Sequence, residues 1–197
     1  AAYKPFDKCR DGFVPGEGAG IMILEGEKRA QARGAKTLAY ITGYGTTCDG
    51  VDRIKASADG KELARAIRLA LEMAKTKPEE IDYISLDGAA SDEGDVSEVA
   101  AIKEVFGARA AQIPASAPKT IFGNLLGASG AVDMIITMMA MEHSLIPPTL
   151  NLKNIDPRCA GLDYVRDKAR EHKINKALVI SRGRAGINAA LVMEKAL

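Results

Sequence analysis

Tryptophan is absent from this 197-residue chain, aromatic residues make up 5% of it, and only two histidines occur, His143 and His172. Two isolated histidines are too few for a histidine-based metal site. A Ser–His or Cys–His nucleophile pair needs a histidine beside the nucleophile, and neither histidine falls in a glycine-rich loop. The three cysteines, Cys9, Cys48 and Cys159, lie far apart without CxxC or zinc-type spacing, which leaves them as packing thiols. The net charge is +1, so nothing in bulk electrostatics draws the chain to nucleic acid or an anionic membrane. No apolar run reaches the about 20 residues of a membrane span, and none is organised as a signal peptide, so the cytoplasm is the expected compartment. Against these absences stands a hydrophobic content of 47%, which suits one large or two small globular domains and argues against disorder.

The first seventeen residues read as irregular, with Gly12, Gly16, Pro5 and Pro15. Gly18 to Glu25 is a short apolar run after glycines and predicts a buried strand. Glu27 to Arg33 predicts a helix ended by Gly34, and the β-branched and aromatic alternation of Thr37 to Thr47 a second strand. Cys48 to Asp59 reads as a crossover loop. From Lys61 onward helices and strands alternate. Lys61 to Lys75 is a helix with Leu63, Ile67, Ala70, Leu71 and Ala74 on one face, Ile81 to Leu86 a strand, Glu93 to Phe106 a helix, and Gln112 to Ala115 a strand. Strands follow at Leu162 to Val165, Lys176 to Ser181 and Ile187 to Glu194. This order predicts an α/β fold with a largely parallel sheet covered by helices on both faces. The turn between the last two strands is too short for a parallel crossover, so one edge is expected to be antiparallel.

The chain is organised around Ala117 to Gly130, a loop with Gly123, Gly127 and Gly130 that feeds the apolar segment Ala131 to Met141. The glycines allow tight turns, Ser129 is placed to cap the helix start, and the segment is apolar nearly all round, as in a helix buried on most sides. Three loops follow strand or helix ends: Asp87 to Ser91, Lys119 to Gly130, and Arg182 to Asn188. Ligands of open α/β sheets gather at the carboxyl ends of strands, so these loops form the candidate site. Asp87 with Asp95, Glu98 and Lys119 offers an acid/base set, and Lys119 with Arg182 a holder for an anion. The plainer alternative is that Asp92, Glu93 and Asp95 simply favour the positive end of their helix.

These loops resemble the C-terminal half of the β-ketoacyl synthases, the condensing enzymes of fatty acid and polyketide assembly. Pro5-Phe6-Asp7-Lys8-Cys9-Arg10-Asp11-Gly12-Phe13-Val14 and Gly16-Glu17-Gly18-Ala19-Gly20 match one motif run, Lys119 and Gly123-Asn124-Leu125-Leu126-Gly127-Ala128 a second, and Ile146-Pro147-Pro148-Thr149 a third. Tyr83-Ile84-Ser85-Leu86-Asp87-Gly88 sits where an active synthase reads Tyr-Ile-Asn-Ala-His-Gly. Two histidines of active synthases, which stabilise the enolate and oxyanion, would fall at Asp87 and Asn124. A carboxylate repels a developing anion, and an amide donates a hydrogen bond without charge. Arg182 and Arg184 stand where the family has phenylalanines. Asp87-Gly88-Ala89-Ala90, Ala117-Pro118-Lys119-Thr120 and Arg182-Gly183-Arg184-Ala185-Gly186-Ile187-Asn188 are similar to chain length factors, the ketosynthase β subunits of type II polyketide synthases. Gly88 and Asn124 depart from that group, which usually has Ala and often Arg.

The resemblance implies a thiolase-like fold, layered αβαβα and built from two duplicated halves. Residues 1–50 would hold the last strands of the N-terminal half and 51–197 the C-terminal half. It implies a non-catalytic subunit of a polyketide synthase that forms a heterodimer with an active ketosynthase and helps set polyketide chain length. Acyl carrier protein would be a transient partner, and a separate polypeptide would carry the first half. No cofactor, metal, nucleic acid or membrane is implied. Catalytic residues are then absent, Asp87 and Asn124 being degenerate positions, and Lys119, Asp95, Glu98, Gly123, Gly127, Arg182 and Arg184 are site framework, with Arg182 and Arg184 pairing carboxylates such as Asp87. The alternative is a divergent condensing or acyl-transfer enzyme with Asp87 or Asn124 as its acid/base group.

Overall fold

The computed structural model describes residues 2–52 and 55–196. Its helices are α1 (Glu27–Ala32), α2 (Lys61–Met73), α3 (Asp92–Phe106), α4 (Lys119–Phe122) and α5 (Ser129–His143). The strands are β1 (Ala39–Cys48), β2 (Tyr83–Ser85), β3 (Pro114–Ser116), β4 (Leu145–Ile146), β5 (Asp163–Tyr164), β6 (Arg170–Glu171), β7 (Lys176–Arg182) and β8 (Ile187–Lys195). Six strands form one sheet in the order β1-β8-β7-β2-β3-β5, and β4 pairs β6 separately. β7, β2, β3 and β5 run parallel, while β8 is antiparallel to both β7 and β1.

The layers follow from sequence pattern. β7 is a continuous apolar run because both its faces are buried: Leu178 and Ile180 enter the core under α2 and α3, and Ala177 and Val179 the core under α5. The predicted face of α2, with Leu63, Ile67, Ala70 and Leu71, is buried. α2 lies directly on β1 because Gly43 and Gly45 carry no side chain. A Cβ there would stand 2.2 Å from the Ala70 carbonyl oxygen and 2.1 Å from that of Ala66.

Several expectations are corrected. Gly18 to Glu25 forms no strand: Gly20 lies against Ala131, Val132 and Ile135 of α5, no described strand pairs with this stretch, and Ile21, Ile23 and Leu24 are exposed. β1 pairs with β8 along its length, without bearing on a division at 50/51. Its pairing also makes the antiparallel part three strands wide. β4 and β6 are additional short strands. α5 buries only one face, with Ser129, Asp133, Met134, Thr137, Ala140 and Met141, while Met139 is exposed. Ser129 does not cap it. The Ser129 hydroxyl accepts from the Leu125 N–H and donates to Asn124 Oδ1. Cys159 is buried as a packing thiol, but Cys9 and Cys48 are exposed. The crossover loop contains residues 53 and 54, which lie outside the described residues.

The irregular start is firmly packed. Phe6 is fully buried against Tyr164. The Asp7 carboxylate accepts backbone N–H groups of Cys9, Lys153 and Asn154. Arg10 reaches Asp156 at 2.7 Å and Asp95 at 3.6 Å.

Candidate functional site

Because β2, β3 and β7 are parallel, their carboxyl ends lie on one edge of the sheet, and the three loops meet there. β2 ends before Asp87, β3 delivers Lys119, and β7 ends at Arg182.

Lys119 is fully buried. Its Nζ lies 2.7 Å from Asp133 Oδ2 and 3.1 Å from Asp87 Oδ1, and it donates to the Asp87 carbonyl at 3.0 Å. Burial alone would pull the ammonium down, but the carboxylates of Asp87 and Asp133 overcome this and hold it above the usual lysine range. Burial raises Asp133 to about 6, against the pull of Lys119. The Asp87 carboxylate also accepts the Arg182 backbone N–H at 3.1 Å. Lys119 Nζ and the Arg182 N–H meet the same oxygen, Oδ1.

Asp95 and Glu98, three apart on α3, both face inward and hold loops from below. Glu98 accepts the N–H of Asp87 at 2.7 Å and of Gly88 at 2.9 Å. Asp95 accepts the N–H of Phe6 at 2.7 Å and of Ser91 at 3.3 Å. Burial pushes Asp95 up to about 7. Glu98 is raised as well, first by burial and then by the negative Asp87. The helix-dipole reading does not account for Asp95, which is buried and bonded to two loops; Asp92 and Glu93 are exposed at the helix start, and Asp92 pairs with Arg10 and Arg158.

Asn124 uses its Oδ1 as acceptor for the Leu126 N–H at 2.9 Å and the Ser129 hydroxyl at 3.1 Å. Gly123 next to it adopts φ +89° and backs onto Gly16, whose Cα would lie 2.8 Å from an added Cβ. Gly127 has open space around it and no such requirement. The Arg182 guanidinium does not pair with Asp87. Nε donates to Asn188 Oδ1 at 3.0 Å, and Nη1 to the Gly94 carbonyl and Ser97 Oγ, each at 2.9 Å. Its nearest carboxylate is Asp49, 3.8 Å from Nη2. Arg184 is exposed and has no hydrogen bond or ion pair among the described residues.

Sequence reasoning missed Tyr3, Asp49 and Asp133, and it quoted Arg10 and Asn188 only as motif members, without a role. For Asp133 a signal existed: it is the one charge in the apolar run Ala131 to Met141. Tyr3 lies far from the loops in sequence, and only the fold brings it near. The two histidines line a separate cleft with Ser144, Leu145, Glu171 and Lys173. His143 ends the helix that Ser129 begins, about 20 Å away at 1.5 Å per residue. Among the described residues no group of three or more His, Cys, Asp or Glu is placed to hold a metal ion. No helix among them is long and apolar enough to cross a membrane. Chemically, the arrangement gathers the buried carboxylates of Asp87, Asp95, Glu98 and Asp133 with the buried ammonium of Lys119, and it contains no imidazole.

A profile of the β-ketoacyl synthase C-terminal domain matches residues 38–153. The chain is 41% identical over 195 residues to the actinorhodin polyketide β-ketoacyl synthase 1 of Streptomyces coelicolor, covering 99% of this chain and 42% of that protein. It is 43% identical over 194 residues to 3-oxoacyl-(acyl-carrier-protein) synthase 2 of Synechocystis, covering 98% and 46%. Among solved structures it is similar to a type II polyketide synthase ketosynthase in complex with its acyl carrier protein and bound to the hexaketide, at TM-score 0.95 and 36% identity, over all of this chain and 48% of that one. The ishigamide ketosynthase/chain length factor matches at TM-score 0.93 and 39% identity, again over all of this chain and 48% of that one. The chain thus spans about half the length of the proteins it matches, and its architecture is that of thiolase-like ketosynthases.

Proposed function

The chain belongs to the β-ketoacyl synthase family, and on that premise we propose that it is part of a ketosynthase-like subunit that performs no condensation itself. It pairs with an active ketosynthase and helps set chain length in type II polyketide assembly. The observation that carries this reading is the state of Asp87. At a position where an active synthase presents an imidazole, a buried carboxylate is held by Lys119 and by the Arg182 N–H. Asn124, at the second such position, spends its carbonyl oxygen on its own loop. Preorganised donors aimed at a developing oxyanion commonly supply more of the rate enhancement than any other single effect, and losing one costs about 10²–10³ in rate. Two are changed. Acyl carrier protein then visits the partner that carries the chemistry.

A divergent condensing or acyl-transfer enzyme is favoured by one observation: relatives at 41% and 43% identity bear synthase names. Co-expression with an active ketosynthase separates the readings. A one-to-one complex whose product length changes when this subunit is exchanged supports the subunit reading. A stable homodimer that ignores the ketosynthase and condenses thioesters alone supports the enzyme.

A further inference from the structure

Tyr3 takes no part in the motifs that mark the family resemblance, yet it stands between the two degenerate positions. It is 2% exposed. Its phenol donates to the carbonyl of Gly88, directly after Asp87, at 2.8 Å. From the other side, Asn124 Nδ2 donates to the same phenol oxygen at 3.5 Å. The amide orientation is fixed by its partners: Oδ1 meets the Leu126 N–H and the Ser129 hydroxyl, which need an acceptor, so the nitrogen must turn toward Tyr3. The tyrosine is itself anchored, its carbonyl accepting from Asn151 Nδ2 at 3.1 Å. Gly88, at φ +52°, is wedged against Ala117, Pro5 and Phe6, so the segment around Tyr3 also shapes the loop it bonds to.

We propose that Tyr3 is a positioning residue that clamps the Asp87 loop to the Asn124 loop and engages the Asn124 amide, a neutral donor at a position where an active synthase has an imidazole. Burial, helped by the negative Asp87 against the pull of Lys119, keeps the phenol protonated, so it remains a donor through the neutral range. The clamp follows from the contacts alone. Its consequence, a site held shut, rests on the non-catalytic reading above.

Hydrogen exchange and amide NMR of the purified protein test the clamp without reference to turnover. The reporters are the N–H groups of Gly88 and Ser91 on one loop and of Leu125 and Leu126 on the other, all bonded to side chains. Tyr3→Phe keeps the ring and removes the bridge. Both loops should exchange about fivefold to tenfold faster, as expected for one lost hydrogen bond, and the Asn124 side-chain amide resonances should shift, with α2 unchanged. Tyr164→Phe is the control: its hydroxyl makes an equally buried bond to a backbone carbonyl, that of Cys159 at 2.8 Å. It should leave both loops untouched. No change at the loops, change at only one, or equal acceleration throughout both variants would each overturn the clamp. Turnover by the protein would remove the non-catalytic reading and leave this test standing.

Discussion

Two regions of this chain reverse the usual placement of polar and apolar residues. The edge where β2, β3 and β7 end holds Lys119, Asp95, Glu98 and Asp133 at or below 1% exposure. The apolar run through Ile21, Ile23 and Leu24 is 89%, 86% and 69% exposed. The difference teaches that partners, more than polarity, decide burial. Each buried charge has an opposite charge or N–H donors beside it, which offset part of its desolvation; at Asp95, Glu98 and Asp133 burial still wins. The apolar run rests Gly20 and Met22 against α5 and its core, but no described strand pairs its backbone and nothing described covers Ile21, Ile23 or Leu24.

The largest effect should come from breaking the charged region at its centre. Lys119→Met keeps the volume and strands two buried carboxylates. Removing one partner of a buried pair costs about 3–5 kcal/mol, so the urea midpoint should fall sharply, and Asp133→Asn in the same background should recover part of the loss. An unchanged midpoint would mean that the cluster is hydrated.

Next is the backbone contact beneath Asn124. Gly123→Ala meets both a positive φ and Gly16 at 2.8 Å, and should cost about 2 kcal/mol or more. Gly127→Ala, four residues on with open space, should stay within about 0.5 kcal/mol. Thermal unfolding of the pair checks the contrast.

The pH dependence sharpens it further. Burial raises Asp95 to about 7 and Asp133 to about 6, above their unfolded value of about 4. Between about pH 4 and 7 the folded state therefore binds more protons than the unfolded one, and stability falls as pH rises through that window. Each such group contributes a slope of at most ~1.4 kcal/mol per pH unit. Asp95→Asn should flatten the stability–pH curve over pH 4 to 7. An identical slope would show that Asp95 titrates alike in both states. The smallest effect belongs to the apolar run: Ile23→Ser should change the stability of this chain by no more than about 0.5 kcal/mol, measured by the same unfolding scan.

Much of the sheet was legible because its signals are local. The apolar run of β7, the one-sided pattern of α2 and the glycine ending α3 each point to a single conformation. The three loops were legible as a site because strand order places them at one edge. What was not legible depends on distance along the chain. Tyr3 and Arg10 act on residues more than eighty positions away. Arg182 was expected to pair with Asp87, but its guanidinium turns to Gly94, Ser97 and Asn188, and only its backbone meets that carboxylate. Gly18 to Glu25 had the composition of a strand, but composition does not supply the neighbour a strand requires.

The central claim is that the Asp87 carboxylate is spent on structure. Decarboxylation and condensation of a malonyl thioester by the purified protein, in the absence of any other ketosynthase and beside Asp87→Ala, tests it most directly. The account predicts no turnover above the uncatalysed reaction in either protein. Turnover that drops on Asp87→Ala would contradict it and make Asp87 a catalytic group.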